Sequence, residues 1–242
     1  MHRKEIWRRL CDASLLSSKA RDAWLDAWNL CVPGPFARIY RKVRPYTMCG
    51  HARLRGLYQA IHEAVAEHVP GDVVECGAAR GGSAALMGLA LKQLGTARTV
   101  WVCDTFEGLP PPTETDPDRD LAMPWTGLCR GELGEVQELF RRLGILSGCR
   151  LVKGLFQDTL PTCGVRAIAL LHLDCDWYDS VKACLDHLYD RVSPGGIIQF
   201  DDYGHWAGAR KAVDDFFRHR AIELRLRRLD YAGRQFVKPF PA

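Results

Sequence analysis

Asp72-Val73-Val74-Glu75-Cys76-Gly77-Ala78-Ala79-Arg80-Gly81-Gly82-Ser83 reads as a buried strand, a glycine turn and the opening of a helix. The near-continuous apolar run suits a strand covered on both faces. Gly77, Gly81 and Gly82 let the chain bend sharply and let a ligand approach the backbone, while amides at a helix start favour a carboxylate or phosphate. The turn departs from G-x-G-x-x-G because Ala79 occupies the second glycine position, so a pyrophosphate would find fewer bare amides than it needs.

Downstream, short apolar runs at 99–103, 150–153, 168–173 and 196–200 alternate with helical periodicity at 82–94, 132–143, 180–192 and 207–218. Strands buried on both faces and separated by helices predict a doubly wound α/β fold with a mostly parallel sheet. The tail differs: 222–230 and 234–238 flank Tyr231-Ala232-Gly233 and predict a closing antiparallel hairpin. Upstream, Leu54, Leu57, Tyr58, Ile61 and Val65 predict a helix over 51–68, ended by Pro70-Gly71. The first fifty residues read as an amphipathic helical extension, with Ile6, Leu10, Trp24, Leu25, Trp28 and Leu30 set among charges and a break at 31–36. The expected division is an N-terminal extension, 1–50, and one domain, 51–242.

The 242 residues are 47% hydrophobic, with seven Trp, seven Tyr and nine Phe, which excludes disorder over most of the chain. The net charge of +4 is unevenly spread. Residues 1–50 carry ten Lys/Arg against four Asp/Glu, residues 217–242 seven against two, and residues 51–216 sixteen against twenty-three. An acidic centre repels phosphate, so no nucleic-acid partner is expected. No apolar run reaches the roughly 18–20 residues of a bilayer span, so no membrane association is expected. The basic start leads into no apolar leader core, and the ten cysteines are scattered without any C-x-x-C pair. They read as reduced core cysteines of a cytoplasmic protein.

Chemistry concentrates at two strand ends. The fourth run leads into Asp174-Cys175-Asp176-Trp177-Tyr178-Asp179, and the fifth ends in Asp201-Asp202-Tyr203. Carboxylates this close repel one another unless a cation neutralises them, and hard oxygens without clustered thiolate or imidazole suit Mg2+, with Mn2+ as the alternative. Asp176 and Asp179 also fit capping of the following helix, whereas capping does not require Asp174, Asp201 and Asp202 together. Asp104, at the end of the second strand, is placed to bind ribose hydroxyls or to cap. His205 faces either substrate or solvent.

The acid two residues before Gly77 gives an E-x-G pattern like that of S-adenosylmethionine methyltransferases. The whole set of motifs, in order, resembles the macrocin O-methyltransferase family, Mg2+- and S-adenosylmethionine-dependent enzymes that methylate sugar hydroxyls of antibiotics. The resemblance covers residues 46–217. It rests on Tyr46-Thr47-Met48 with Arg53-Leu54-Arg55-Gly56-Leu57-Tyr58, the glycine turn, Asp104-Thr105-Phe106-Glu107-Gly108-Leu109-Pro110, Lys153-Gly154-Leu155-Phe156 with Asp158-Thr159-Leu160-Pro161, and the two acidic tips. It implies that Glu75, Gly77, Arg80 and Ser83 hold the methionine part of S-adenosylmethionine, that Asp104 and Thr105 meet the ribose, and that Gly154 and Phe156 lie near the adenine. Asp174 would adjoin the cofactor, carry the metal with Asp201 and Asp202, and act as the catalytic base. Ala79 stands where the family often has a bulky aromatic, and Cys175 where it often has glycine.

The expected partner is a small-molecule glycoside or nucleotide-sugar. A catechol-type O-methyltransferase and a non-catalytic methyltransferase-fold assembly partner remain as alternatives; the Asn/Asp-Pro-Pro-Tyr/Phe signature of nucleic-acid methyltransferases is absent. The long segment 110–131 suggests a lid closing Met123, Trp125 and Leu128 over an apolar part of the acceptor. The Trp-bearing N-terminal extension suggests lid material or a homo-oligomer contact.

Overall fold

A computed structural model describes residues 13–241, so the expectations placed on Ile6, Leu10 and the basic stretch 1–12 lie outside the described residues. The strands are β1 Asp72–Cys76, β2 Val100–Asp104, β3 Cys149–Lys153, β4 Ile168–Leu173, β5 Val192–Phe200, β6 Arg227–Arg228 and β7 Arg234–Val237. They form one sheet in the order β3-β2-β1-β4-β5-β7-β6, parallel from β3 to β5, with β7 and β6 added antiparallel. This is a doubly wound α/β fold. Strand order reverses between β1 and β4, where such sheets open a crevice at their carboxyl edge.

The helices are α1 Ala13–Cys31, α2 Pro35–Val43, α3 His51–Ala66, α4 Gly82–Gln93, α5 Leu133–Arg142, α6 Tyr178–Leu188 and α7 Ala207–His219, with single helical turns at Arg119–Ala122 and Phe156–Thr159. Alternation along the strands divides the core. Val73, Val100, Val102 and Leu170 pack with residues of α2, α3, α4 and α5, whereas Val74, Leu171 and Ile198 pack with residues of α6 and α7. The break at 31–36 leaves α2 with Pro at its first position, the favoured place for it. Phe36, Ile39, Tyr40 and Val43 then join the same core as α3 and α4, so α2 packs into the domain's interior. Among the described residues no helix is long and apolar enough to cross a membrane.

Three expectations need correction. The first arm of the closing hairpin shrinks to Arg227–Arg228, because Ile222, Leu224 and Leu226 leave the ladder and turn onto the core beside α7. The helix expected to reach residue 192 ends at Leu188, and β5 begins at Val192, paired with Ile168. Left-handed Gly195 (φ 78°) within β5 accommodates the register shift between Ile168 and Leu170. All nine described cysteines are free, but Cys31 is exposed and Cys129 and Cys163 are half-buried. These three end a surface helix or lie in connections, where no core is available.

Gly77 is the point of closest approach between β1 and β4. Its φ is 90°, and a Cβ there would collide with the carbonyl oxygen of Asp174, which is backbone and cannot yield. Gly77→Ala is expected to destabilise the protein by at least about 2 kcal/mol in urea unfolding. Gly134→Ala, in open space near the start of α5, should be neutral or stabilising by about 0.5–1 kcal/mol.

Candidate active site

Two groups of residues meet where β1 and β4 part. The first is the glycine turn, braced by Asp104 at the tip of β2. Asp104 Oδ2 accepts hydrogen bonds from the amides of Ala78 (2.6 Å) and Ala79 (3.1 Å), and its Oδ1 accepts one from Phe106 (2.7 Å). Ala79 itself is left-handed, with φ 44°. Gly81, also left-handed, caps the start of α4, and Ser83 is buried just inside it. The Gly154 amide donates to the Asp104 carbonyl at 3.0 Å, which brings the end of β3 to the same edge, and Phe156 is buried behind it. Thr105 donates its hydroxyl to the Gly108 carbonyl (3.0 Å). Arg80 lies apart: it is exposed, with its guanidinium 5.5 Å from the Tyr46 ring centroid.

The second group is acidic. The Asp174 amide donates to the Cys76 carbonyl and that of Asp201 to the Leu173 carbonyl, both at 2.9 Å, so three neighbouring strand tips bring the acids together. Asp201 and Asp202 are buried, and Asp174 and Asp176 half-buried. Cys49 Sγ sits 3.4 Å from Asp174 Oδ2 and 3.6 Å from Asp201 Oδ2. Arg53, on α3, touches Asp201 and places its Nε 3.1 Å from Asp230 Oδ2, which ties α3 to the C-terminal hairpin turn.

Beneath these acids runs a buried polar row. Glu75, His172, Gln199 and Gln235 are in register across β1, β4, β5 and β7. His172 Nδ1 is 2.9 Å from Glu75 Oε1 and its Nε2 is 3.2 Å from Asp201 Oδ1, while Gln235 donates to Gln199 at 2.8 Å. Burial alone would lower the His172 pKa, but hydrogen bonds and charge from Asp201 and Glu75 raise it to about 10. His172 is therefore an imidazolium with both N–H groups donating. Glu75 thus lies below the crevice with one carboxylate oxygen committed to His172.

The four acids divide by environment. Burial would raise Asp201, but Arg53 and His172 hold its carboxyl down at about 2. Burial, followed by the charge of Asp201, pushes Asp174 well above the carboxylate range. Burial, with Asp176 and Asp174 beside it, does the same to Asp202. Desolvation of the half-buried Asp176 outweighs its hydrogen bond to the Trp206 side chain and, with the charge of Asp201, raises its carboxyl to about 7. Two buried oxygens, Asp202 Oδ2 and Glu75 Oε2, have no hydrogen-bond partner. Such orphaned acceptors are costly and fit a site that a cationic or hydrogen-donating ligand completes.

The sequence reading missed Cys49, Arg53 and His172. One signal was available: Glu75, His172 and Gln199 are each the penultimate residue of a central strand and each directly follows two or more apolar residues. The capping offered for Asp179 is supplied from elsewhere. Asp116 Oδ1 accepts from the Tyr178 amide (2.7 Å) and Asp118 Oδ2 from the Ala207 amide (2.9 Å), so segment 110–131 caps both α6 and α7. Its ends are joined by Leu109–Leu128 and Gly127–Leu109 backbone bonds, and Trp125 meets Trp206 edge-on at 6.1 Å. His205 also packs edge-on against Trp206, at 4.9 Å.

The family described as Macrocin-O-methyltransferase (TylF) matches residues 41–238. The chain belongs to the macrocin O-methyltransferase family. It is a methyltransferase, and the matched span includes every site residue described above. Among its relatives in this family, an 8-demethyl-8-(2,3-dimethoxy-alpha-L-rhamnosyl)-tetracenomycin-C 4'-O-methyltransferase from Streptomyces olivaceus is 37% identical over 193 residues, covering 78% of this chain and 74% of the relative. A mycinamicin III 3''-O-methyltransferase from Micromonospora griseorubida is 35% identical over 195 residues, covering 78% and 76%. The solved structure of the O-methyltransferase NovP superposes with a TM-score of 0.77 at 34% identity, covering 81% of this chain and 83% of that one.

Proposed function

We propose that this methyltransferase transfers the methyl group of S-adenosylmethionine, with a divalent cation of the Mg2+ type, to a sugar hydroxyl of a glycosylated natural product. The observation that carries the reading is the acidic group at the β4 and β5 tips, with Asp202 Oδ2 buried and partnerless just past the end of β5, on the same edge of the sheet as the glycine turn. Asp174, Asp201 and Asp202 would hold the cation. Its chemistry would be to stabilise a deprotonated sugar hydroxyl and orient it.

The glycine turn supports the donor assignment. Gly77 lets the tips of β1 and β4 meet backbone to backbone, the amides following Gly81 start a helix suited to a carboxylate, and the partnerless Glu75 Oε2 is an acceptor for an ammonium. In the structure Asp104 spends lone pairs on the turn's amides, so in this reading it both shapes the turn and meets the ribose, with Thr105, Gly154 and Phe156 along the same edge. Arg80 and Ser83 flank the methionine end. A finished glycoside is favoured over a free nucleotide-sugar because Met123, Trp125 and Leu128 are exposed apolar side chains in segment 110–131, and Trp125 packs on Trp206. An aglycone would cover them. The named substrates of the two bacterial relatives, a rhamnosyl-tetracenomycin and mycinamicin III, point the same way.

Labelled methyl transfer should be measured on glycoside, nucleotide-sugar and catechol panels, with and without chelator. Transfer to a glycoside hydroxyl that chelation abolishes and Mg2+ restores is expected. Transfer confined to catechols, or insensitive to chelation, would overturn the reading.

A further inference from the structure

One donor at the acidic site belongs to a different chemical class from the rest. Cys49 lies between the 3-10 turn Arg44–Tyr46 and α3, and is 3% exposed. Its Sγ and ligand atoms of His172, Asp174 and Asp201 all lie within 4.8 Å of one another. His172 already gives both ring nitrogens to Glu75 and Asp201, so it positions Asp201 and is not available as a donor. Three donors remain: Cys49 Sγ, Asp174 Oδ2 and Asp201 Oδ2. Arg53 also contacts Asp201 Oδ2, but a carboxylate oxygen has a second lone pair for an ion.

The Cys49 thiol donates to both carboxylates, and the separations also suit ligands sharing one ion. Metal–sulfur bonds of about 2.3 Å and metal–oxygen bonds of about 2.1 Å place sulfur and oxygen about 3.1–3.6 Å apart, at angles between octahedral and tetrahedral. The observed Sγ–Oδ2 distances are 3.4 and 3.6 Å. Mg2+ has no use for sulfur, whereas Zn2+, Cd2+ and Co2+ do. The buried, partnerless Asp202 Oδ2 is a further oxygen at the same strand tips.

We infer that Cys49 sets the metal preference of this site, joining Asp174 and Asp201 in a mixed sulfur–oxygen set that takes thiophilic divalent cations and lets them displace Mg2+. The inference rests on the reading that these acids hold a cation. On binding, the thiol proton leaves to solvent as the metal–sulfur bond forms, with no change of oxidation state. A thiophilic ion seated there would fill the position needed by Mg2+ and inhibit methyl transfer.

The full chain should be titrated with Co2+ and followed by near-ultraviolet absorption. A thiolate-to-cobalt charge-transfer band is expected in the unmodified protein and should vanish in Cys49→Ser and in Cys49→Ala. Cd2+ should displace bound Mn2+ one for one in the unmodified protein, as read by the Mn2+ resonance signal, and its affinity should fall at least about tenfold in Cys49→Ser while Mn2+ affinity is unchanged. A band that persists without Cys49, a missing band in the unmodified protein, or failure of Cd2+ to displace Mn2+ overturns the inference. If Mn2+ binds neither protein, the cation reading of the acids falls first; if Mn2+ binds both and Cd2+ affinity is equal in both, only the part assigned to Cys49 falls. The displacement arm needs no variant and stands whether or not Cys49→Ser folds.

Discussion

Asp176→Asn is expected to lower turnover by about 10²–10⁴-fold while leaving divalent-cation affinity nearly unchanged. Asp174→Asn is expected to lose cation affinity as well. The two residues are neighbours in sequence but not in environment. Asp174 meets Cys49 and faces Asp201, and in the proposed reading it is one of the cation's ligands, where a cation would make it a poor base. Asp176 projects from a left-handed backbone (φ 58°), a conformation that aspartate tolerates better than most residues, and Trp206 holds its carboxylate. Held by Trp206 and outside the cluster of Cys49, Asp174 and Asp201, its carboxylate is better placed than Asp174 to accept a proton. The proton-acceptor assignment suggested for Asp174 is therefore moved, as a proposal, to Asp176. Single-turnover rates set beside Mn2+ binding separate the two functions. Normal turnover in Asp176→Asn, or undiminished cation binding in Asp174→Asn, would sink this division.

His172→Ala is expected to cost about 3–5 kcal/mol of stability, because it leaves Glu75 and the Asp201 side of the site as buried charges without their shared partner. Its pH dependence has a definite sign. The folded-state pKa of about 10 lies above the ordinary 6.5, so the contribution is complete below about 6.5 and disappears as pH rises through about 10. Urea unfolding in chelator at pH 7 and pH 10 should show a marked alkaline loss in the native sequence and a smaller one in His172→Gln. Equal losses in both would mean that His172 is neutral in the folded state.

The readable features of this protein are local. Gly77 and Gly81 announce themselves because few other residues tolerate φ of 90° and 80°, and they end β1 and open α4 where the sequence places the turn. The acids at 174, 201 and 202 are legible for the same reason: each follows an apolar run whose end is visible, so each must stand on a strand tip. The hairpin arm at 222–230 was misjudged because Ile222, Leu224 and Leu226 alternate like a strand, yet the neighbouring core captured them before a ladder could form. Helix α6 stops short because Val192 gains a partner in Ile168, a pairing with no local signature.

The sequence by itself determined the order of strands and helices, the glycine turn and the carboxylates at two strand tips, since hydrophobic period and backbone sterics act over a few residues. Only the tertiary structure decided what surrounds those acids. Cys49 and Arg53 reach Asp201 across 152 and 148 residues, and Glu75 pairs with His172 across 97. Register and helix packing set those meetings. They convert four mutually repelling carboxylates into one held ionised, two pushed toward the neutral form and one poised near neutrality, because in a buried site each charge is governed by its nearest partners.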